Sequence, residues 1–300
     1  MGLDGFEKEN SDVKLLRFGE PGRERPGLLH SDGSIRDLSG IVGDIDGASL
    51  SPAGLDALSR IDVHKLPVVP SGTRIGPCVG RVGKIVCVGR NYAEHVKETA
   101  HVRAQDATLP SEPVLFMKAT TSIVGPDDDV MLPLDSVKTD WEIELAAVIG
   151  TRARYVEESE ALTYVAGYTI INDVSEREFQ LERGGQWDKG KSCDTFAPLG
   201  PWVVTRDEIP DIDALELKLA VNGTVRQHSS TAHMIFKLPT IISYISRFMT
   251  LLPGDVIATG TPSGVGLGLK PPVFLKAGDE MELTVERLGR QRQRVIGFSR

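Results

Sequence analysis

Apolar positions in this chain come in short runs that either alternate with polar ones or are continuous and β-branched, which is the signature of strands. KIVCVG, PVLFMK, WEIELAAVIG, AGYTIINDV, LELKLAVNG, DVIATG and DEMELTVERLG all read this way. Two helical windows stand out among them. One begins near Asn91, and the other runs from Thr240 to Leu251 with Ile241, Ile245, Phe248 and Met249 as its apolar stripe. Strands do not alternate regularly with long helices, so a doubly wound parallel fold is disfavoured and an α+β, sheet-dominated fold is expected.

Upstream the pattern is shorter and modular. KLLRFG reads as a strand, GLLHSDGSIRDLSG as a hairpin about Asp32-Gly33, and SPAGLDALSRID as a small helix capped by Ser51. VVPSGTRIGPCVGRVG, rich in Gly and Pro and without a period, reads as a connection. At 300 residues there is room for one large domain or a large one with a small companion. The expected organisation is a loose polar tail over residues 1–12, a small N-terminal domain over 13–75 and a main body over 76–300.

Composition narrows the partners. A formal charge of -8 with scattered Lys and Arg supplies no field for phosphate backbones, so nucleic acid is excluded as an expected partner. Cys78, Cys87 and Cys193 are odd in number and form no CxxC pair, which argues against a disulfide framework or a zinc ribbon and for a reducing cytoplasm. MGLDGFEKENSD lacks the apolar core of a secretory signal, and Phe6 stands where a myristoylation motif needs Ser or Thr. Lys237, Pro239 and Arg247 interrupt the most apolar stretch, Met234 to Gly254, so no membrane partner is expected either.

The candidate chemistry begins with Glu142 and Glu144 in TDWEIELAAVIG. On a strand both point to one face, and two like charges on an apolar strand call for a cation or free access of water. Asp173, at the end of GYTIIND, is the natural third ligand, and three carboxylates suit a hard ion, Mg²⁺ or Mn²⁺, whereas zinc would ask for His or Cys. The residue pattern leaves open a solvated strand face, with Asp173 capping a helix from Val174. In GRNYAEHVKE, His95 and Glu98 share a helical face, so the carboxylate can orient the imidazole as a general base; an ordinary polar helix surface fits the same spacing. Lys191 in WDKGKSCDTF reads, alone, as exposed. ATGTPSGVGLG, residues 258–268, is neither a Walker loop nor GxGxxG, and reads as a carboxylate-binding loop or a tight turn. Asp127, Asp128 and Asp129 follow Gly125-Pro126 and read as a solvated turn.

In series, VGRNYAEHVKE, PVLFMKATTSIVGP, TDWEIELAAVIG, AGYTIINDVSERE, GKSCDTFAPLGPWVVT and LLPGDVIATGTPSGVG closely resemble the fumarylacetoacetate hydrolase family, particularly its acylpyruvase-like bacterial members. The resemblance implies a β-rich mixed-sheet roll, usually a homodimer. It implies Mg²⁺ or Mn²⁺ on Glu142, Glu144 and Asp173, a water-activating dyad of His95 and Glu98, and Lys191 as the active-site lysine. It places Arg177 and Gln180 near the metal, Thr261 with neighbouring Gly260 on the substrate carboxylate, and a lid over residues 182–189. The implied reaction is hydrolysis of a 2,4-dioxo acid to pyruvate and a carboxylic acid. REFQLERGGQW through DKGKSCDTFAPLGPW looks most like enzymes acting on 2,4-diketo-3-deoxy sugar acids. The family also contains decarboxylases, isomerases and ureidoglycolate-type lyases, and a non-catalytic metal-stabilised binding protein is the remote alternative.

Overall fold

The structure, a computed structural model, describes residues 14–103 and 107–299; the tail expected over residues 1–12 lies outside them. In chain order the elements are β1 (Lys14–Phe18), β2 (Arg25–Leu29), β3 (Ile35–Asp37), α1 (Pro52–Leu58), β4 (Ile85–Gly89), α2 (Ala93–Arg103) and β5 (Val114–Lys118). Then come β6 (Ile123–Val124), β7 (Val130–Met131), β8 (Thr139–Asp140), β9 (Ile143–Ile149), β10 (Val165–Asn172), β11 (Ser175–Glu176), α3 (Arg177–Leu181) and α4 (Asp188–Lys191). The rest are β12 (Ala197–Thr205), β13 (Glu216–Val221), β14 (Thr224–Ser230), α5 (Leu238–Phe248), β15 (Val256–Ala258), β16 (Glu280–Val285) and β17 (Gly289–Ile296). The fold is α+β and strand-rich, as the hydrophobic pattern requires.

One sheet runs in the order β3-β2-β1-β12-β10-β9-β15-β4-β5, with β6 added beside β12; a second runs β14-β13-β16-β17-β7, and β8 pairs with β11. Residues 13–75 were expected as a small domain. Their first strand joins the large sheet directly, Lys14 opposite Val204, and Phe18 bridges to Ile75.

Why β9 and β10 read as near-continuous apolar runs is now clear: every residue of both is buried, so both faces of the sheet are covered here. Ile143, Leu145, Ala147 and Ile149 enter one core cluster, which includes Leu217, Leu219 and Leu283 of the second sheet. Ala146 and Val148 face the other, with Cys87, Phe116 and Ala258. Glu142 and Glu144 continue this second face by the two-residue period. By contrast β13 alternates exposed with buried positions, as a strand covered on one side should.

The second predicted helix starts and stops earlier than expected. Pro239, in the first turn, suits a helix start, and Met249 is already extended, so the stripe that packs is Leu238, Ile241, Ile242 and Ile245. Phe248 is 63% exposed instead. All three cysteines are free thiols. No helix among the described residues is long and apolar enough to cross a membrane.

Candidate active site

β9 and β10 run antiparallel with Ile143 opposite Asn172 and Glu144 opposite Ile171, so Asp173 emerges from β10 beside the two glutamates. Its N–H donates to Glu142 O at 2.8 Å. One oxygen from each of Glu142, Glu144 and Asp173 lies within 4.8 Å of the others, and all three residues are buried. A solvated strand face is thereby ruled out. Nor does Asp173 cap a helix: β11 follows it, and Glu176 caps α3 by accepting from Glu178 N.

Buried carboxylates demand compensation, and the fold supplies it from four directions. Lys191 Nζ, from α4, donates to Glu142 Oε2 at 2.7 Å and Asp173 Oδ2 at 2.6 Å. Lys118 Nζ, at the end of β5, donates to Asp173 Oδ1 at 2.6 Å and Val174 O at 3.1 Å. Arg177 spans Glu142 Oε1 at 2.7 Å and Asp140 Oδ2 at 2.9 Å. Gly260 N donates to Glu144 Oε2 at 2.7 Å. Four carboxylates (Glu142, Glu144, Asp173, Asp140) against three cations (Lys118, Lys191, Arg177) leave a formal charge of -1.

The compensation is uneven. Burial pushes the Glu142 carboxyl up, but Lys191, Arg177 and His95 outweigh it and hold Glu142 below the usual carboxylate range. Glu144 goes the other way: burial, then the charges of Asp173 and Glu142, push it well above that range. Burial lowers Lys191, but Asp173 and Glu142 more than reverse this, keeping it charged. An all-oxygen donor set containing an under-compensated glutamate could hold a divalent cation.

The dyad sits on α2, which begins two residues before His95. His95 Nδ1 is 2.9 Å from Glu98 Oε1, leaving Nε2 for a proton from outside the pair. Glu98 in turn accepts from Gly264 N at 2.9 Å, so the glycine loop after β15 holds the residue that orients the imidazole. His95 is buried, whereas Lys97 and Glu94 on the same helix pair in solvent; only part of this helix is polar surface. Asn91 ties the start of the helix to the same loop, donating to Thr259 O at 2.7 Å. Gly260, at φ +101°, passes so close that a Cβ would lie 2.7 Å from Asn91 Cβ and 2.9 Å from Val88 O.

His95, Glu142, Glu144 and Lys191 line one small pocket, together with Gln180, Thr261, Arg90, Phe116 and Trp187. Gln180 Nε2 is buried there with no hydrogen-bond partner among the described residues, a donor left for a ligand. Thr261 lines the pocket, but its hydroxyl donates to Ile143 O at 2.9 Å and accepts from Gln227 Nε2 at 2.7 Å. Its proton is therefore committed to the protein. Arg177 stands behind Glu142 rather than in the pocket, 1% exposed, and so positions a carboxylate instead of facing a ligand. Trp187, in the segment expected as a lid, closes on Phe116 with ring centroids 5.5 Å apart. Gly89 makes this approach possible, since a Cβ there would lie 2.5 Å from the indole.

Sequence reasoning missed Lys118, Asp140, Asn91 and Gln227. A lysine ending an apolar strand looks like any solvated lysine; the only available signal was that three clustered acids need more cations than Lys191 and Arg177 supply.

A family model described as fumarylacetoacetate (FAA) hydrolase C-terminal matches residues 84–296. A Burkholderia multivorans protein named "Putative hydrolase" is 55% identical over 282 residues, 94% of this chain and 98% of that one. Among solved structures, a fumarylacetoacetate hydrolase from Exiguobacterium antarcticum is similar with a TM-score of 0.82 and 38% identity, covering 95% of this chain and 100% of that one. The maleylpyruvate hydrolase from Sphingobium sp. SYK-6 matches at 0.78 and 29%, over 95% and 100%. The 2-hydroxyhepta-2,4-diene-1,7-dioate isomerase from Mycobacterium marinum matches at 0.74 and 32%, over 96% and 100%.

Proposed function

This chain belongs to the fumarylacetoacetate hydrolase family, and we propose that it is a divalent-metal-dependent hydrolase of a C–C bond in a 2,4-dioxo acid, releasing pyruvate and a carboxylic acid. The observation that carries this reading is one small pocket lined by His95, Glu142, Glu144 and Lys191, with Glu98 holding the imidazole and Asp173 completing the carboxylate cluster behind it. Glu142, Glu144 and Asp173 would hold Mg²⁺ or Mn²⁺, which supplies Lewis acidity to the 2-oxo acid head.

The chain's own residues account for the remaining steps. His95, oriented by Glu98, takes a proton from water, and the hydroxide adds to the C4 carbonyl. The C3–C4 bond breaks, its electron pair passing into the enolate of pyruvate, while C4 leaves as a carboxylate. Lys191 sets positive charge against the enolate oxygen. A proton returned to C3 completes pyruvate, so one water is consumed. Trp187 over Phe116 limits water to what the dyad orders. The substrate proposed is a 2,4-diketo-3-deoxy sugar acid.

The test is a panel of sugar-derived and aliphatic 2,4-dioxo acids with Mg²⁺, following pyruvate and the second acid. His95→Ala should lower pyruvate release by roughly 10²–10⁴-fold with the fold intact, the usual contribution of a general base. Isomerised or decarboxylated product without a second acid would replace hydrolysis by the isomerase or decarboxylase alternative on the same site.

A further inference from the structure

We propose that Arg90 is a substrate-binding residue that pairs with a carboxylate of the ligand; this rests on the 2-oxo acid reading above and assigns the anchor that sequence reasoning gave to Thr261. Three cations of the cluster are already engaged by protein carboxylates: Lys118 by Asp173, Lys191 by Glu142 and Asp173, Arg177 by Asp140 and Glu142. Arg90 lines the same pocket and has no carboxylate within ion-pair distance among the described residues. Its one hydrogen bond among them is from Nη2 to Thr108 O at 2.9 Å, which fixes the guanidinium and leaves most of its five N–H donors unassigned. A planar fork in that condition is suited to a carboxylate, which accepts two parallel bonds from it.

The backbone gives an independent indication. Arg90 has φ +59°, in the left-handed region where a side chain is strained and glycine is not, and among the described residues it is the one non-glycine residue of this kind that lines the pocket. The strained turn joins the end of β4 to α2, directly between the strand carrying Gly89 and the helix carrying His95. Conformational cost at this point is compensated if the side chain is needed there. Thr261 meanwhile gives its hydroxyl proton to Ile143 O and cannot donate to an anion without breaking that bond.

The experiment is calorimetric titration of the Mg²⁺-loaded full chain and its Arg90→Gln and Arg90→Gly variants with pyruvate, pyruvamide and succinylpyruvate. If Arg90 holds the head carboxylate, both variants bind pyruvate at least tenfold more weakly while pyruvamide changes less than twofold. If it holds a carboxylate at the far end of the acyl chain, only succinylpyruvate weakens tenfold, and the assignment stands with the other carboxylate. Because glycine relieves the positive φ, Arg90→Gly should melt no lower than the wild type even as it loses affinity. Equal weakening of pyruvate and pyruvamide together with a lower Tm marks a structural arginine and overturns the proposal, as does unchanged binding of all three ligands. Titration does not require turnover, so a wild type that binds these acids but hydrolyses no dioxo acid refutes the hydrolase reading and leaves Arg90 assigned. A wild type that binds none of them overturns both.

Discussion

Replacing Lys118 by methionine removes one cation from a cluster that is already short of them. The side chains of Lys118 and Asp173 are both 0% exposed, so the ammonium cannot be replaced by water at the surface. Formal charge falls from -1 to -2, Asp173 Oδ1 loses a partner and Val174 O loses a donor. Removing one member of a buried ion pair costs about 3–5 kcal/mol, because the other charge stays desolvated. A lost hydrogen bond to the carbonyl adds about 1 kcal/mol. At roughly 2 °C per kcal/mol for a domain of this size, Tm should fall by about 8–12 °C. The assay is thermal unfolding in chelator, repeated with Mg²⁺. The cation should stabilise Lys118→Met more than the wild type, since it supplies charge to a more negative site. Asp173→Asn completes a double-mutant cycle, in which the double variant should lose less than the sum of the singles. A loss under about 1 kcal/mol, or singles that add to within about 0.5 kcal/mol, would refute the claim that Lys118 compensates Asp173.

Four further outcomes follow from the same geometry. Glu98→Gln keeps the size of the side chain but removes the charge that orients His95, so kcat should fall roughly 10–100-fold with little change in KM, read by steady-state kinetics. Gln227→Leu strands the buried Ile143 N–H and removes the donor to Thr261 Oγ1 and Pro262 O, and should cost about 2–4 kcal/mol by urea unfolding. Trp187→Ala opens the pocket at Phe116 and should raise KM while shifting Tm by less than about 3 °C. Glu144 titrates above its ordinary 4.5 in the folded chain. Its raised value means the folded state holds the proton longer, so its contribution is fully present below the unfolded value and is lost as pH rises through the folded one. In chelator, the stability of the wild type relative to Glu144→Gln should therefore decline as pH rises above about 4.5, and Mg²⁺ affinity should rise over the same range as the competing proton leaves. A pH-independent difference would refute this account of Glu144.

Much of the sheet was legible because alternation is a local property. β9 and β10 were readable from continuous apolar runs, β13 from its polar-out period, and α2 from where its pattern starts. The end of α5 was misjudged because periodicity counts apolar residues without knowing what faces them: Phe248 satisfies the helical spacing yet finds no core beyond it. The expectation for Thr261 met a similar limit. A threonine in a glycine loop looks available until the partner strand, Ile143, and the second sheet, Gln227, are in place.

What the sequence by itself determined is the local chemistry. The two-residue period of β9 places Glu142 and Glu144 on one face, the helical spacing of α2 places His95 beside Glu98, and the series of motifs identifies the family. What only the tertiary structure decided is the electrostatic balance of the cluster. Lys118 reaches Asp173 across 55 positions of chain, Arg177 reaches Asp140 across 37, and Gln227 joins the second sheet to the first. Such contacts depend on strand order and register, which no local pattern encodes. The sum of buried charge over them separates a held-down Glu142 from a pushed-up Glu144 only two residues away.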